Sequence, residues 1–205
     1  MAGWIISQFP PHRCYTEAYG GGASVLLQKP RSYAEVYNDL NGEIVNVFRV
    51  LRNPSQAREL ERLLRLTPFA MAEFKLSYLL DGDPIEQARR TIVRSFMGFG
   101  SAAHNSKHAT GFRANSNRSG TTPAHDWMHY PDCIASFVKR LAGVVIENRP
   151  AIEVIQIHDT PQTLHYVDPP YVHATRKPRQ STNYGVEYEL SDADHSERVE
   201  PDGNL

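Results

Sequence analysis

A carboxylate followed by two prolines and an aromatic ring, Asp168-Pro169-Pro170-Tyr171, is the sharpest chemical signal in the chain. The prolines fix the backbone and remove two amide donors, so carbonyl oxygens near them stay free to accept hydrogen bonds. A carboxylate plus a rigid carbonyl can together hold both hydrogens of a planar amino group. Tyr171 offers a flat face on which a base can stack, a contact worth roughly 1–3 kcal/mol in other systems. These parts suit an exocyclic amine that attacks an electrophile, and a base presented in this way has to leave its stack. The same tetrapeptide also reads as a plain strand-to-turn exit, because Pro-Pro is a common breaker.

A second group of residues lies near the start. Gly20-Gly21-Gly22 follows Tyr15-Thr16-Glu17-Ala18-Tyr19 and lets a ligand approach the backbone closely. It lacks the spacing of a phosphate loop and of the dinucleotide fingerprint. Asp39 ends the next apolar stretch, where an acid either binds ribose hydroxyls or caps the helix that follows. Cys14 and Cys133 are the only cysteines, which excludes a disulfide scaffold and a structural zinc cluster. Cys14 reads as a small core residue, and reduced thiols point to a cytoplasmic protein. With a mean hydropathy of -0.47 and no long apolar run, no membrane span is expected.

The elements that must position these residues alternate. Short strands are expected at Arg13–Glu17, Ala34–Tyr37, Gly143–Glu147 and Leu164–Val167. An apolar run after the glycines reads as the start of a buried helix. Ile44, Val45, Phe48 and Leu51 share one helical face behind an Asn41 cap. Further helices are expected from a Ser55 cap with Leu60, Leu63 and Leu64 inward, from Pro84 with Ile85, Ala88, Ile92 and Phe96 inward, near Asp132, and over Ala151–Ile157. Residues 98–126 lose the hydrophobic period and read as a long polar loop, a class that is usually functional. The order predicts an α/β fold with a parallel sheet, and Asp168 at the carboxyl end of a strand, where open sheets bind ligands.

Charge is unevenly spread. Residues 85–149 carry nine Lys/Arg against four Asp/Glu, a balance of +5, and also His104, His108, His125 and His129. The remaining residues total -6, much of it from Glu187 onward. The basic middle either follows a phosphate backbone or forms an ordinary solvated surface. Arg89, Arg90 and Arg94 suit phosphates or the wet face of a helix. Lys107, Arg113 and Arg118 in the polar loop are the better DNA candidates, and His173 and Arg176 follow the tetrapeptide closely. Trp127 and Tyr130 read as core or loop anchors.

Together these motifs resemble the Dam-type N6-adenine DNA methyltransferases. Tyr15 to Val25 is similar to their first S-adenosylmethionine motif, Tyr37-Asn38-Asp39-Leu40-Asn41 to their second, and Asp168 to Tyr171 to their catalytic motif. The likeness runs over roughly residues 4–195. It implies a Rossmann-like methyltransferase sheet formed by residues 1–55 and 141–205, with a mostly helical DNA-recognition insertion at 56–140. It implies S-adenosylmethionine as methyl donor, no metal, and double-stranded DNA as partner. Tyr15, Glu17, Gly20, Gly21, Gly22, Asp39 and Asp168 would form the cofactor side. Asp168, Pro169, Pro170 and Tyr171 would hold the flipped adenine for direct, in-line transfer.

The chain also departs from that pattern. Its Met1-Ala2-Gly3-Trp4 start lacks the Gly-Gly-Lys segment of relatives, Ala18 stands for a usual Pro, and Pro150 for a frequent Asp. Only 34 residues follow Tyr171, so truncation at both ends is expected. Two alternatives therefore stand beside the active enzyme: a catalytically silent DNA-binding remnant, and an amino-group methyltransferase acting on RNA or protein. Asp168 disfavours the last, because related protein-glutamine enzymes usually carry Asn there.

Overall fold

The computed structural model describes residues 1–99, 110–114 and 120–169. Four short strands form one sheet: β1 (Cys14–Glu17), β2 (Ala34–Asn38), β3 (Val145–Glu147) and β4 (Thr163–Tyr166). The order across it is β3-β2-β1-β4, and every pair is parallel. This is the parallel α/β sheet the alternation predicts. Tyr15, Thr16 and Glu17 are all buried, as are Val36 and Tyr37, because parallel strands are covered on both faces.

Helix α1 (Ala2–Ser7) precedes the sheet, and α8 (Ala151–His158) makes the crossover from β3 to β4, packing on β1. Between β2 and β3 run α2 (Gly42–Leu51), α3 (Pro54–Leu66), α4 (Met71–Leu76), α5 (Pro84–Met97), α6 (Pro123–His129) and α7 (Ile134–Leu141). Capping explains most of their starts. Asn41 accepts from the Glu43 amide, Asp83 from the Ile85 amide and Thr122 from the His125 amide. Pro54, Pro84 and Pro123 each stand in a first turn, where a missing amide costs nothing. Phe48, Leu60, Leu64, Ile92, Met97 and Leu141 supply the apolar interior of this layer. α2 and α5 share its most extensive contact, so the helical layer is continuous across residue 55.

Three expectations change. The cap of α3 is Asn53, whose side chain accepts from the Ser55 and Gln56 amides, and not Ser55. No helix follows the glycines. Gly21 (φ 49°) and Ala23 (φ 51°) both lie in the left-handed region, which ends a right-handed helix before it can propagate. The apolar run there forms turns, with bonds such as Leu27 N to Ala23 O at 2.9 Å. The stretch read as loop up to residue 126 already carries α6 from Pro123.

Candidate functional site at the carboxyl ends of the strands

β1 connects toward β2 and β3 on one side, while β4 returns to its other edge. The crossover direction therefore reverses between β1 and β4, the place where such sheets hold ligands. Glu17 and Tyr166 lie opposite each other in the last register of that pair, and Asp168 follows two residues later, exposed. The Phe9 ring lies 6.3 Å from the Tyr166 ring and 5.7 Å from Tyr15. Burial and the negative charges of Asp168 and Glu17 push the Tyr166 phenol up.

Glu17 is 1% exposed. Its Oε1 accepts from the Tyr15 hydroxyl at 2.8 Å and from the Leu26 amide at 2.6 Å, while Oε2 is buried without a hydrogen-bond partner. Desolvation outweighs both bonds and pushes its carboxyl up to about 7. The Tyr15 phenol is driven upward by burial and then by the neighbouring Glu17. A buried carboxylate oxygen with no donor suits a ligand that brings one, above all a cationic amine.

The glycine turn is held by the loop after β2. Asp39, 4% exposed, accepts from the Gly21 amide at 2.7 Å and from the Asn41 amide at 2.8 Å. The Tyr37 hydroxyl donates to Gly21 O at 2.6 Å, and its ring leaves no room for a side chain at Gly20. Asp39 thus organises the turn and holds Asn41, the residue that caps α2.

Two residues that sequence reasoning missed join the loops. Asn38 donates to Ala18 O at 2.9 Å and Arg149 O at 3.0 Å, and its Oδ1 accepts from the Arg149 amide. Asn148 donates to Asp39 O at 2.7 Å. The ends of β1, β2 and β3 are stitched into one platform. The signal was an Asn directly after each of two apolar strands. Pro150, at the start of α8, makes no side-chain cap.

Gly21 and Gly22 also border a cavity of about 390 Å³ walled by Phe48, Ile92, Phe96 and Tyr130; Asp168 is not on its wall. A larger cavity of about 840 Å³, lined by Arg13, Tyr33 and Pro161, sits at the amino ends of the strands. It is at the wrong end of the sheet for the motifs above.

The expected DNA contacts are divided. Arg89 is buried, bonded to Glu73 and Glu86 at 2.7 Å each and to Thr67 at 3.1 Å. Arg90 pairs with Glu86 at 2.8 Å and Asp81 at 2.9 Å. These charges are consumed inside the helical layer, which corrects their reading as phosphate contacts. Arg113 is half-buried and donates to Phe96 O at 3.0 Å. Lys107, Arg118, Pro170, Tyr171, His173 and Arg176 lie outside the described residues.

The model of D12 class N6 adenine-specific DNA methyltransferases matches residues 1–199. The chain belongs to that family. No curated protein matches it. Members of the D12 class methylate adenine in DNA and depend on S-adenosylmethionine, so DNA is the substrate. Among the described residues, no group of three or more His, Cys, Asp or Glu is poised to hold a metal ion. No described helix is long and apolar enough to cross a membrane.

Proposed function

We propose that the chain transfers a methyl group to N6 of an adenine extruded from double-stranded DNA, in the cytoplasm, at the crevice between the ends of β1 and β4. One observation carries this reading: Asp168 and Pro169 follow β4 beside Glu17, whose buried Oε2 lacks a donor. S-Adenosylmethionine, when bound, supplies the electrophilic methyl group. Glu17 accepts from its ammonium group, the Gly20–Gly22 turn gives it close backbone approach, and Asp39 accepts from a ribose hydroxyl. Asp168 and the Pro169 carbonyl would each accept a hydrogen bond from the adenine amino group, directing the N6 lone pair at the methyl group; as the N6–CH3 bond forms the S–CH3 bond would break, S-adenosylhomocysteine would leave, and one N6 proton would pass by way of Asp168 to solvent. Tyr171 stacks on the extruded base, and Lys107, Arg113, Arg118, His173 and Arg176 form the DNA side.

The test is transfer of labelled methyl from S-adenosylmethionine to plasmid DNA. Asp168→Ala, at an exposed position, should keep the circular dichroism spectrum and lose at least ~100-fold in rate, the scale of removing one preorganised group. Full activity in that variant would reject the assignment. Tyr171→Ala should impair transfer far more than Tyr171→Phe. Salt-dependent DNA binding by the unaltered chain with no label transferred would favour a silent remnant.

A further inference from the structure

Arg94, in the last turn of α5, is 0% exposed. Its Nη1 donates to Ser77 O at 2.7 Å and its Nη2 to the Glu43 carboxylate, to which Gln87 also donates at 3.3 Å. Its guanidinium lies 5.7 Å from the Tyr78 ring centroid. On one side, Glu43 is in the first turn of α2, two residues after the Asn41 cap. Asn41 accepts from the Glu43 amide at 3.0 Å and donates its own amide to Asp39, which holds Gly21. On the other side, the Tyr78 hydroxyl accepts from the Thr110 amide at 3.0 Å. Thr110 opens the described piece of the polar loop, which Phe112 anchors against Phe69 at 5.1 Å and Phe74 at 5.6 Å. Direct contacts therefore run unbroken from Gly21 through Asp39, Asn41, Glu43, Arg94 and Tyr78 to Thr110.

A buried ion pair contributes little net stability, because desolvation offsets attraction. Its geometry is strict, and this one ties the two loops whose joint placement a two-substrate reaction requires. We infer that Arg94 is a positioning residue that sets the cofactor-side loop through Glu43 and couples it to the polar loop through Tyr78. The inference rests on the function proposed above. Coupling of this kind is reciprocal: DNA on the polar loop strengthens binding of S-adenosylmethionine, and the converse.

The experiment measures the Kd of S-adenosylmethionine on the full chain, with and without saturating plasmid DNA. The double variant Arg94→Met/Glu43→Gln removes both charges together and so leaves none unpaired. It should unfold cooperatively near the wild-type midpoint while its Kd rises about tenfold. Tyr78→Phe keeps the ring and loses the bond to Thr110. It should bind the cofactor like wild type alone, and lose the several-fold tightening that DNA gives the wild type. An unchanged Kd in the folded double variant, or undiminished tightening in Tyr78→Phe, overturns the inference and leaves the proposed function standing. Failure of the wild type to bind S-adenosylmethionine overturns both.

Discussion

Two buried glutamates project from the same face of one small sheet, and the protein treats them in opposite ways. Glu35 lies opposite Tyr15 in the register of β1 and β2, and Glu17 is two residues further along β1. Glu35 is met by Lys29 at 2.7 Å, by both terminal nitrogens of Arg140 at 2.6 and 2.9 Å, and by the Ser32 amide at 3.0 Å. Burial opposes its charge, but Arg140 and Lys29 overcome that and hold its carboxyl below the ordinary value. Glu17 is just as deep and receives neutral donors alone, on one oxygen. The fold can therefore compensate a carboxylate at the amino-terminal side of the sheet. It leaves one uncompensated at the carboxyl end, beside the exit of β4, and perturbed carboxylates of that kind cluster at functional sites.

The comparison breaks most visibly at Glu35. Glu35→Gln leaves Lys29 and Arg140 without an anion, and chemical denaturation should show a loss of about 3–5 kcal/mol. Next comes the pH dependence of Glu17. Its folded-state carboxyl titrates near 7 against an ordinary 4.5, so the folded protein holds the proton more tightly. Stability from this group is present below pH 4.5 and is lost as pH rises through 7, on the order of 3 kcal/mol in all. Glu17→Gln should flatten that slope between pH 4.5 and 7. S-Adenosylmethionine at pH 8 should raise the melting midpoint of the wild type more than that of Glu17→Gln; equal shifts would separate Glu17 from the cofactor. A smaller change comes from Tyr15→Phe, which costs about 1 kcal/mol and moves the Glu17 transition to higher pH, because the lost bond favoured the anion. Smallest is Arg31→Ala. Arg31 closes the end of α7 through the carbonyls of Lys139, Arg140 and Ala142, and its removal should cost about 1 kcal/mol or less without touching the pH profile.

Strands and long helices were legible in the sequence because their cues are local: β-branched runs ending in polar residues, and Asn or Asp with Pro at helix starts. The motif at Asp168 was legible for the same reason. What escaped depends on partners far along the chain. Arg89 stands beside Arg90 on an apparently wet face, yet Glu73 of α4 and Thr67 cover it. Nothing near Glu35 in the chain announces Arg140, 105 residues later. α4 is six residues long and carries no side-chain cap, so it leaves little trace. The failed helix after the glycines turns on two left-handed residues, one of them Ala23, which no propensity foretells.

The contact of Gly20 with Tyr37 has a consequence for variation. A methyl group at position 20 would lie 2.0 Å from the Tyr37 ring, and that ring sits 4.3 Å from Phe48. The tyrosine therefore occupies the volume the glycine vacates, and its hydroxyl grips the next carbonyl. Neither residue can drift by itself: a larger group at 20 evicts the ring, and a smaller one at 37 leaves the turn unsupported. Change at this corner has to arrive as a matched pair, in a single step across two adjoining strand exits.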